Sequence, residues 1–227
     1  MNLKAALALS VGGDLAHLSE VARQLAWLGL EVELGGRLIW GPVRILGKGT
    51  NGVVVLCRSP HGDIYACKIR RGDAQRPHLL EEARYLKMAN GVGVGPRLYA
   101  YTKDVLVMEY MKGTPVAEWW NRADPMMKRA FVEDLLRQAR ALDAIGLSHG
   151  ELSRPGDHIL ASDEGKAVIL DFESASLGRA RNVTQVANML RALGLPQPVD
   201  ALRRYAERLD DRSFEEVLTF FLDELNR

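Results

Sequence analysis

The sequence has few cysteines, no long apolar run and no leader-like start. Its two cysteines, one of them Cys67 inside an apolar segment, predict reduced, buried thiols and an intracellular protein. No stretch of about 18 apolar residues occurs, so we expect no membrane-spanning helix. Residues 1–9 contain a single lysine and only a short apolar run, so we expect no signal peptide. These absences predict a cytoplasmic protein without membrane contact.

An excess of either charge is also absent. The formal net charge is +1, which argues against a surface that coats nucleic acid but is compatible with a local basic patch, such as Lys68-Arg70-Arg71 or Arg179-Arg181. Hydrophobic residues make up 47% of the chain, which is enough for a buried core. The length of 227 residues fits one unit of two lobes, or a core with a small appendage.

What the sequence does contain is a glycine-rich segment, Gly47-Lys48-Gly49-Thr50-Asn51-Gly52. Its glycine spacing alone is ambiguous, because a dinucleotide-binding turn has the same spacing and must then open a helix. Here the β-branched run Val53–Cys57 follows, which favours a strand. A turn and a second apolar strand, Ile64–Ile69, come next and carry Lys68. This order of strand, glycine loop, strand, turn and strand with lysine is that of the kinase signature set.

Glycines and a lysine in this order suit a phosphate ligand. Glycines let the backbone approach phosphates, and a lysine on the third strand supplies a point charge to them. Such a lysine needs a carboxylate to hold it; without one, Lys68 is better interpreted as a solvent-exposed edge-strand residue. The apolar spacing of Leu79–Met88 predicts a helix with Glu82 on its inward face and Glu81 in water. We therefore predict that Glu82 is the partner of Lys68.

The segment Val105–Gly113 is an apolar strand that ends in Glu109-Tyr110 and is soon followed by glycine. It resembles the hinge between two kinase lobes, in which backbone groups at Glu109 and Met111 would bond the adenine edge and Met108 would fill the back of the pocket. The alternative is an ordinary buried strand, which can have the same composition.

Two further motifs lie beyond a long helix. Asp124-Pro125 predicts the N-cap and first turn of that helix, which runs to about residue 145 and stops at Gly146. It is followed by the loop His149–Leu160 and by a strand, Ala167–Leu170, that ends at Asp171-Phe172-Glu173.

His-Gly-Glu-Leu followed by Asp-Phe-Glu resembles the catalytic loop and metal-binding triplet of the kinase superfamily. The resemblance is closest to the small atypical kinases, namely the RIO-type enzymes, the kinase of the KEOPS complex and the archaeal predicted serine/threonine kinases related to both. The loop of the last group also reads HGEL-x-RP-x-x-H. The resemblance covers about residues 43–190 and five motifs in the same order.

The resemblance implies three catalytic residues: Glu151 to orient the acceptor hydroxyl, Lys68 to hold phosphates and Asp171 to bind Mg²⁺. Ordinary kinases have aspartate at the position of Glu151 and an asparagine ligand near the position of His158. Imidazole is a poor Mg²⁺ ligand, so His158 is either a second metal-site residue or a hydrogen-bonding residue, and Asp157 is a possible substitute ligand.

Two other departures leave alternatives open. Glu173 replaces the usual glycine of the triplet, as in aminoglycoside-kinase-like enzymes, and is either structural or helps to hold metal. Arg154 either pairs with Glu151 or a phosphate, or is solvated. The residues implied in nucleotide binding are Gly47, Gly49, Gly52, Val54, Ala66, Lys68, Glu82, Glu109 and Met111.

The implied fold is α+β, with a β-rich N-lobe, a small helical C-lobe and a short N-terminal extension. We predict the extension at residues 1–41, the N-lobe at 42–109 and the shortened C-lobe at 110–227. The expected helices of the C-lobe after the triplet are 183–190, 198–209 and 213–225.

The extension is predicted to begin with a helix capped by Asp14 and ended by Gly29. The residues expected on its apolar face are Leu15, Leu18, Ala22, Leu25 and Leu28. Residues 32–40 then predict a hairpin around Gly35-Gly36. A helix followed by a hairpin resembles the end of a winged-helix module, so contact with nucleic acid or ribosome through 1–41 is one interpretation. Packing of the extension against the N-lobe is the other.

The sequence therefore predicts an atypical serine/threonine protein kinase that uses Mg-ATP on a protein substrate of unknown identity. One alternative is an ATP-binding assembly factor or pseudokinase that uses nucleotide as a switch, since the usual Asp and Asn of the catalytic loop are missing. Another is a small-molecule kinase, which the Asp-Phe-Glu triplet suggests.

Overall fold

The structure, a computed structural model, describes residues 14–41 and 43–226. The described residues divide into two units: the first comprises those up to Arg84 together with Arg97–Met111, and the second comprises Tyr85–Pro96 together with those from Lys112 onwards. Strands dominate the first unit and helices the second, which confirms the α+β class. Among the described residues, no helix has the length and apolar character needed to cross a membrane. The segment used for the signal-peptide expectation, 1–9, lies outside the described residues.

The first unit is built on an antiparallel six-stranded sheet with a helix before it. The sheet has the order β1-β5-β6-β8-β7, with β4 also paired to β5. The elements are α1 (Leu15–Trp27), β1 (Glu31–Glu33), β2 (Leu38–Trp40), β3 (Val43–Ile45), β4 (Gly47–Lys48), β5 (Gly52–Arg58), β6 (Ile64–Arg70), the start of α2 (Leu80–Asn90), β7 (Leu98–Tyr101) and β8 (Val105–Glu109).

Strands β5 and β6 form the centre of this sheet. Strand β5 begins at Gly52, so the glycine motif is followed by a strand. The two strands pair along their whole length, from Gly52 opposite Arg70 to Arg58 opposite Ile64. The β-branched residues of β5 fit this pleated and mostly buried surface. Because a strand and not a helix follows Gly52, the dinucleotide-binding alternative is excluded.

The two faces of the sheet have different partners. One face carries the main core of the unit, whose buried members include Val53, Val55, Cys67 and Ile69. On the other face a smaller cluster joins Leu79 and Ala83 of the α2 region to Leu106, with Leu98 and Met108 packed against it. Since side chains alternate along a strand, Val54, Ala66 and Lys68 fall on the second face.

Helix α1 packs on the first unit with most of the predicted face, since Leu25 is buried and Leu18 and Leu28 pack against the core. Asp14 caps it as expected, accepting hydrogen bonds from the backbone of Ala16 and His17. Its buried residues are His17, Val21 and Leu25, whereas Leu15 is 73% exposed. His17 adds a polar contact that the apolar pattern does not predict, since its Nε2 lies 2.9 Å from the Arg70 carbonyl oxygen.

The predicted hairpin around Gly35-Gly36 is wrong. Strand β1 pairs with β5, from Glu31 opposite Arg58 onwards, and β2 pairs with β3 instead. Gly36 has a φ of 125°, and a Cβ there would lie 2.2 Å from the Ile45 carbonyl oxygen. These glycines therefore allow two backbones to pass closely, and they do not form a hairpin turn.

The expectation of two reduced thiols is also wrong. Cys57 and Cys67 are joined by a disulfide, with 6.0 Å between their Cα atoms. They lie on neighbouring antiparallel strands with both side chains in the same buried core.

The second unit is mainly helical. Its elements are the end of α2, β9 (Thr114–Pro115), α3 (Val116–Trp119), α4 (Pro125–Ala144), β10 (Leu147–Ser148), β11 (Ile159–Ala161), β12 (Ala167–Ile169), β13 (Ser176–Leu177), α5 (Asn182–Ala192), α6 (Val199–Arg208) and α7 (Asp211–Glu224). Helix α4 packs against α5, α7 and β12, and α6 packs against α7.

Helix α4 begins and ends where the sequence predicts. Asp124 accepts a hydrogen bond from the backbone N–H of Met127 at 2.9 Å, and proline occupies the first turn. Gly146 follows the C-cap with a φ of 67°, which a glycine adopts without steric cost. The helix is followed by β10 and by the loop that begins at His149.

Candidate functional site

Lys68 and Glu82 form a buried ion pair in the first unit. Lys68 Nζ donates to Glu82 Oε1 at 2.8 Å, and both side chains are at most 5% exposed. Glu81 is exposed, so the choice of Glu82 as the partner of Lys68 is confirmed. A buried ion pair gives little net stability, because desolvation of both charges offsets their attraction. A buried ion pair of this kind is therefore a candidate for a ligand-binding role.

The glycine motif is a tight hairpin beside this pair. Gly47 lies opposite Val54 in the β4–β5 ladder, and the Gly49 N–H donates to the Gly52 carbonyl at 2.8 Å. A Cβ on Gly52 would lie 3.0 Å from Lys68 Cε and 3.1 Å from the Ile69 carbonyl. Glycine at 52 therefore lets the hairpin approach Lys68 closely.

The sheet places Val54 and Ala66, two further residues predicted to bind nucleotide, on the face that carries Lys68. Val54 lies opposite Lys68, and Ala66 lies opposite Met108. This face is the one covered by the smaller cluster around α2. Five of the predicted residues, Gly47, Gly52, Val54, Ala66 and Lys68, thus come from one hairpin and the strand beside it.

Glu109 ends β8, and its backbone N–H is already engaged within the sheet. It donates to the Arg97 carbonyl at 2.8 Å, and the Glu109 side chain accepts from the Arg97 N–H at 3.2 Å. Met111 is the last residue of the first unit. Their predicted contact with adenine stays a prediction.

In the second unit, Asp171 has an unusual backbone. Its φ is 65°, in the left-handed region that non-glycine residues rarely adopt. It follows β12 and precedes a 3-10 turn, Phe172–Ser174. Such backbone outliers are concentrated at functional sites, because the surrounding structure must hold them in place.

His149 is buried and neutral at the start of the loop. Its Nε2 lies 2.9 Å from the Leu170 carbonyl, which fixes this nitrogen as the protonated one, and its ring meets Phe172 edge-on at 5.0 Å. Burial lowers the pKa of His149 to about 4. A neutral imidazole therefore links the loop to the strand end that carries Asp171.

Glu151 is a half-exposed carboxylate with a hydroxyl bound to it. Ser174 Oγ donates a hydrogen bond to Glu151 Oε1. His158 Nδ1 is 3.8 Å from Glu151 Oε2, which is too long for a hydrogen bond. His158 Nε2 is buried without a hydrogen-bond partner among the described residues. The metal-site role of His158 stays a prediction.

Side-chain amides of α5 hold the loop on both sides of Glu151. The His149 N–H donates to Asn182 Oδ1 at 2.9 Å, and the Leu152 N–H donates to Gln185 Oε1 at 3.0 Å. The two amides are three residues apart and therefore lie on one helix face. The loop position of Glu151 is thus set by a rigid element.

A buried carboxylate, Asp143 of α4, anchors this arrangement. It accepts from the Asn182 N–H at 2.7 Å and from the Asn182 side chain at 2.8 Å. It also accepts from the Tyr205 hydroxyl at 2.8 Å. Burial raises the pKa of Asp143, and burial beside Asp143 raises that of Tyr205.

Sequence reasoning missed Ser174, Asp143 and Asn182. Ser174 stands directly after the Asp-Phe-Glu triplet, so its proximity to the triplet was a usable signal. Asp143 and Asn182 carry no motif, and only the packing of α4 on α5 brings them together.

Comparison with known proteins gives the following matches. Residues 63–194, more than half of the chain, match the family model described as RIO domain. The matched range includes Lys68, Glu82, Glu151 and Asp171. A RAC serine/threonine-protein kinase from Drosophila melanogaster is 30% identical over 145 residues, which cover 57% of this chain and 23% of that protein. The chain therefore matches less than a quarter of the length of this relative.

Proposed function

Because the chain belongs to the RIO-domain family of atypical, kinase-like proteins, we propose that it is a serine/threonine protein kinase. It would transfer the γ-phosphate of Mg-ATP to a hydroxyl of a protein acceptor. The observation that carries this proposal is the buried Lys68–Glu82 ion pair beside the glycine hairpin. An ion pair in that setting adds little stability, so its value lies in presenting a fixed ammonium group to an anionic ligand.

The residues present fit a nucleotide phosphate chain. Gly52 leaves room beside Lys68 that a Cβ would fill, and the ammonium of Lys68 is already oriented by Glu82. Asp171 would hold Mg²⁺, a hard cation that prefers carboxylate oxygen. Mg-ATP, when bound, supplies the phosphoryl group and the counter-charge for its transfer.

Glu151 would orient the acceptor hydroxyl and take its proton late in the reaction. A half-exposed carboxylate that already binds one hydroxyl has the hydrogen-bonding capacity for this role. The amides of Asn182 and Gln185 hold the loop through backbone N–H groups on either side of Glu151. These hydrogen bonds therefore do not use the Glu151 carboxylate.

A nucleotide-operated switch is the second candidate. It is favoured by one observation: Glu151, the predicted catalytic carboxylate, is already engaged by Ser174. In that case nucleotide would bind but no phosphoryl transfer to an acceptor would follow. A protein acceptor and a cytoplasmic location remain part of the first proposal.

A transfer assay with radiolabelled Mg-ATP and generic protein acceptors tests the proposal. Asp171→Asn should abolish transfer, because the phosphoryl group loses its metal-bound counter-charge, whereas asparagine tolerates the left-handed backbone at this position. Asp163→Asn, an exposed carboxylate in the β11–β12 turn, is the matched control and should retain transfer. Equal transfer by wild type and Asp171→Asn would refute the assignment of the metal ligand. Nucleotide binding without any transfer by wild type would favour the switch.

A further inference from the structure

The turn that follows Asp171 brings a serine onto the catalytic loop. Gly150 has a φ of 91°, and a Cβ on it would lie 2.8 Å from the Ser174 carbonyl oxygen. The absence of a side chain at Gly150 therefore allows the turn Phe172–Ser174 to rest directly on the loop. This contact places the Ser174 hydroxyl next to Glu151.

The hydrogen bond between Ser174 and Glu151 meets one requirement of a phosphoryl acceptor. A catalytic carboxylate must lie within hydrogen-bond reach of the hydroxyl proton that it removes. Ser174 Oγ meets this requirement, since its hydroxyl donates to Glu151 Oε1. The other oxygen, Oε2, lies 3.8 Å from His158 Nδ1. Ser174 is also exposed, so its hydroxyl is accessible to a phosphoryl donor.

We propose that Ser174 is an internal phosphoryl acceptor of this protein. The inference rests on the proposed function, since it uses the same carboxylate. The Oγ–P bond of phosphoserine forms while the bond between the γ-phosphorus and the bridging oxygen of ATP breaks. The proton of Oγ passes to the Glu151 carboxylate, and ADP leaves with the bonding electron pair. Because Ser174 and Glu151 are held in one unit by Gly150, the modification is expected within a single molecule.

Mass spectrometry of the full chain after incubation with Mg-ATP tests this proposal without any added acceptor. Wild type should gain one phosphoryl group, and peptide mapping should place it on Ser174. Ser174→Ala should lose this modification while retaining the thermal shift that Mg-ATP induces in wild type. Ser176→Ala, an exposed serine two residues further on in β13, is the matched control and should still be modified at Ser174.

The dependence on protein concentration distinguishes transfer within one molecule from transfer between two. The fraction modified per unit time should stay constant when the protein is diluted tenfold. A rate that falls with dilution, or phosphate found only at other residues, would overturn the proposal. Transfer to added protein acceptors without modification of Ser174 would overturn it and leave the proposed function intact. No transfer to any acceptor by wild type would refute both.

Discussion

At the residue scale, Lys68 and Glu82 depend on each other because both are buried. Replacing Lys68 by methionine leaves the Glu82 carboxylate without its counter-charge. Breaking a buried pair in this way typically costs about 3–5 kcal/mol. We therefore expect Lys68→Met to lower both stability and nucleotide affinity.

A double variant separates these two effects. Lys68→Met with Glu82→Leu removes both charges, so it should recover much of the stability but none of the nucleotide-induced thermal shift. The measurement is thermal unfolding of both variants with and without Mg-ATP, with Lys103→Met, an exposed lysine, as control. A full nucleotide-induced shift in the double variant would contradict the phosphate-holding role of Lys68.

His149 predicts a pH dependence of stability. Its pKa in the folded protein is about 4, below the ordinary value of 6.5, because burial disfavours the charged ring. In acid the unfolded chain therefore takes up a proton before the folded one does. The stabilisation that is present above pH 6.5 is lost as the pH falls towards 4, to a total of about 3 kcal/mol.

Urea denaturation of wild type and His149→Gln at several pH values between 7 and 4.5 measures this loss. The difference in unfolding free energy between the two proteins should shrink as the pH falls, because only wild type carries the histidine. A difference that stays constant over this range would show that His149 is not held neutral by burial.

At the element scale, a buried hydrogen-bond network around Asp143 connects α4, α5 and α6. The Tyr205 hydroxyl of α6 donates to the Asp143 carboxylate, which also accepts from the Asn182 N–H. Removal of the Tyr205 hydroxyl would therefore leave Asp143 with its bond from Asn182. A hydrogen bond to a charged group contributes about 1.5–3 kcal/mol. We expect Tyr205→Phe to lower the unfolding free energy by about that amount, since the ring itself is retained.

Urea unfolding of Tyr205→Phe, with Tyr101→Phe as an exposed control, gives this value directly. A loss no larger than that of the control would mean that Asp143 is satisfied without Tyr205.

Elements defined by local signals were predictable, and those defined by distant pairing were not. The Asp124 cap and Gly146 are local, and α4 begins and ends where they predict. Strand β1 has three residues, so its pairing with β5 depends on contacts far along the chain. The inward position of His17 on α1 was missed because its contact with the Arg70 carbonyl is made to a residue far along the chain.

The residues of the candidate site also differ in how far local sequence signals predicted them. The spacing of apolar residues was enough to choose Glu82 over Glu81, because a helix fixes which side faces the sheet. Ser174 was not predicted, since its position beside Glu151 depends on how the turn packs on Gly150. The roles in binding and catalysis stay predictions for every residue of the site.

At the scale of the whole molecule, the N-terminal helix belongs to the first unit. Gln24 accepts from the Asp104 N–H at 3.0 Å and donates to Asp104 Oδ2 at 2.8 Å. Despite burial, the hydrogen bonds of Arg70 and Gln24 lower the pKa of Asp104. Gln24→Ala should therefore destabilise the protein by about 1–3 kcal/mol, because it leaves buried polar groups unsatisfied.

Thermal unfolding of Gln24→Ala and of Arg23→Ala, whose side chain is 76% exposed, compares the two faces of α1. Equal stability of the two variants would contradict the packing role. Contact of this segment with nucleic acid stays a prediction, for which the salt dependence of RNA binding is the test.

The central claim, phosphoryl transfer directed by Glu151, is tested most directly by one comparison of wild type with Glu151→Gln. The measurement is the rate of transfer from saturating Mg-ATP to protein, together with the affinity for Mg-ATP. Glutamine keeps the shape and removes the charge, so we predict a loss of transfer of about 10²–10⁴-fold with nearly unchanged affinity. Glu151→Asp should retain part of the activity. A wild type that binds Mg-ATP yet transfers no more phosphate than Glu151→Gln would contradict the claim.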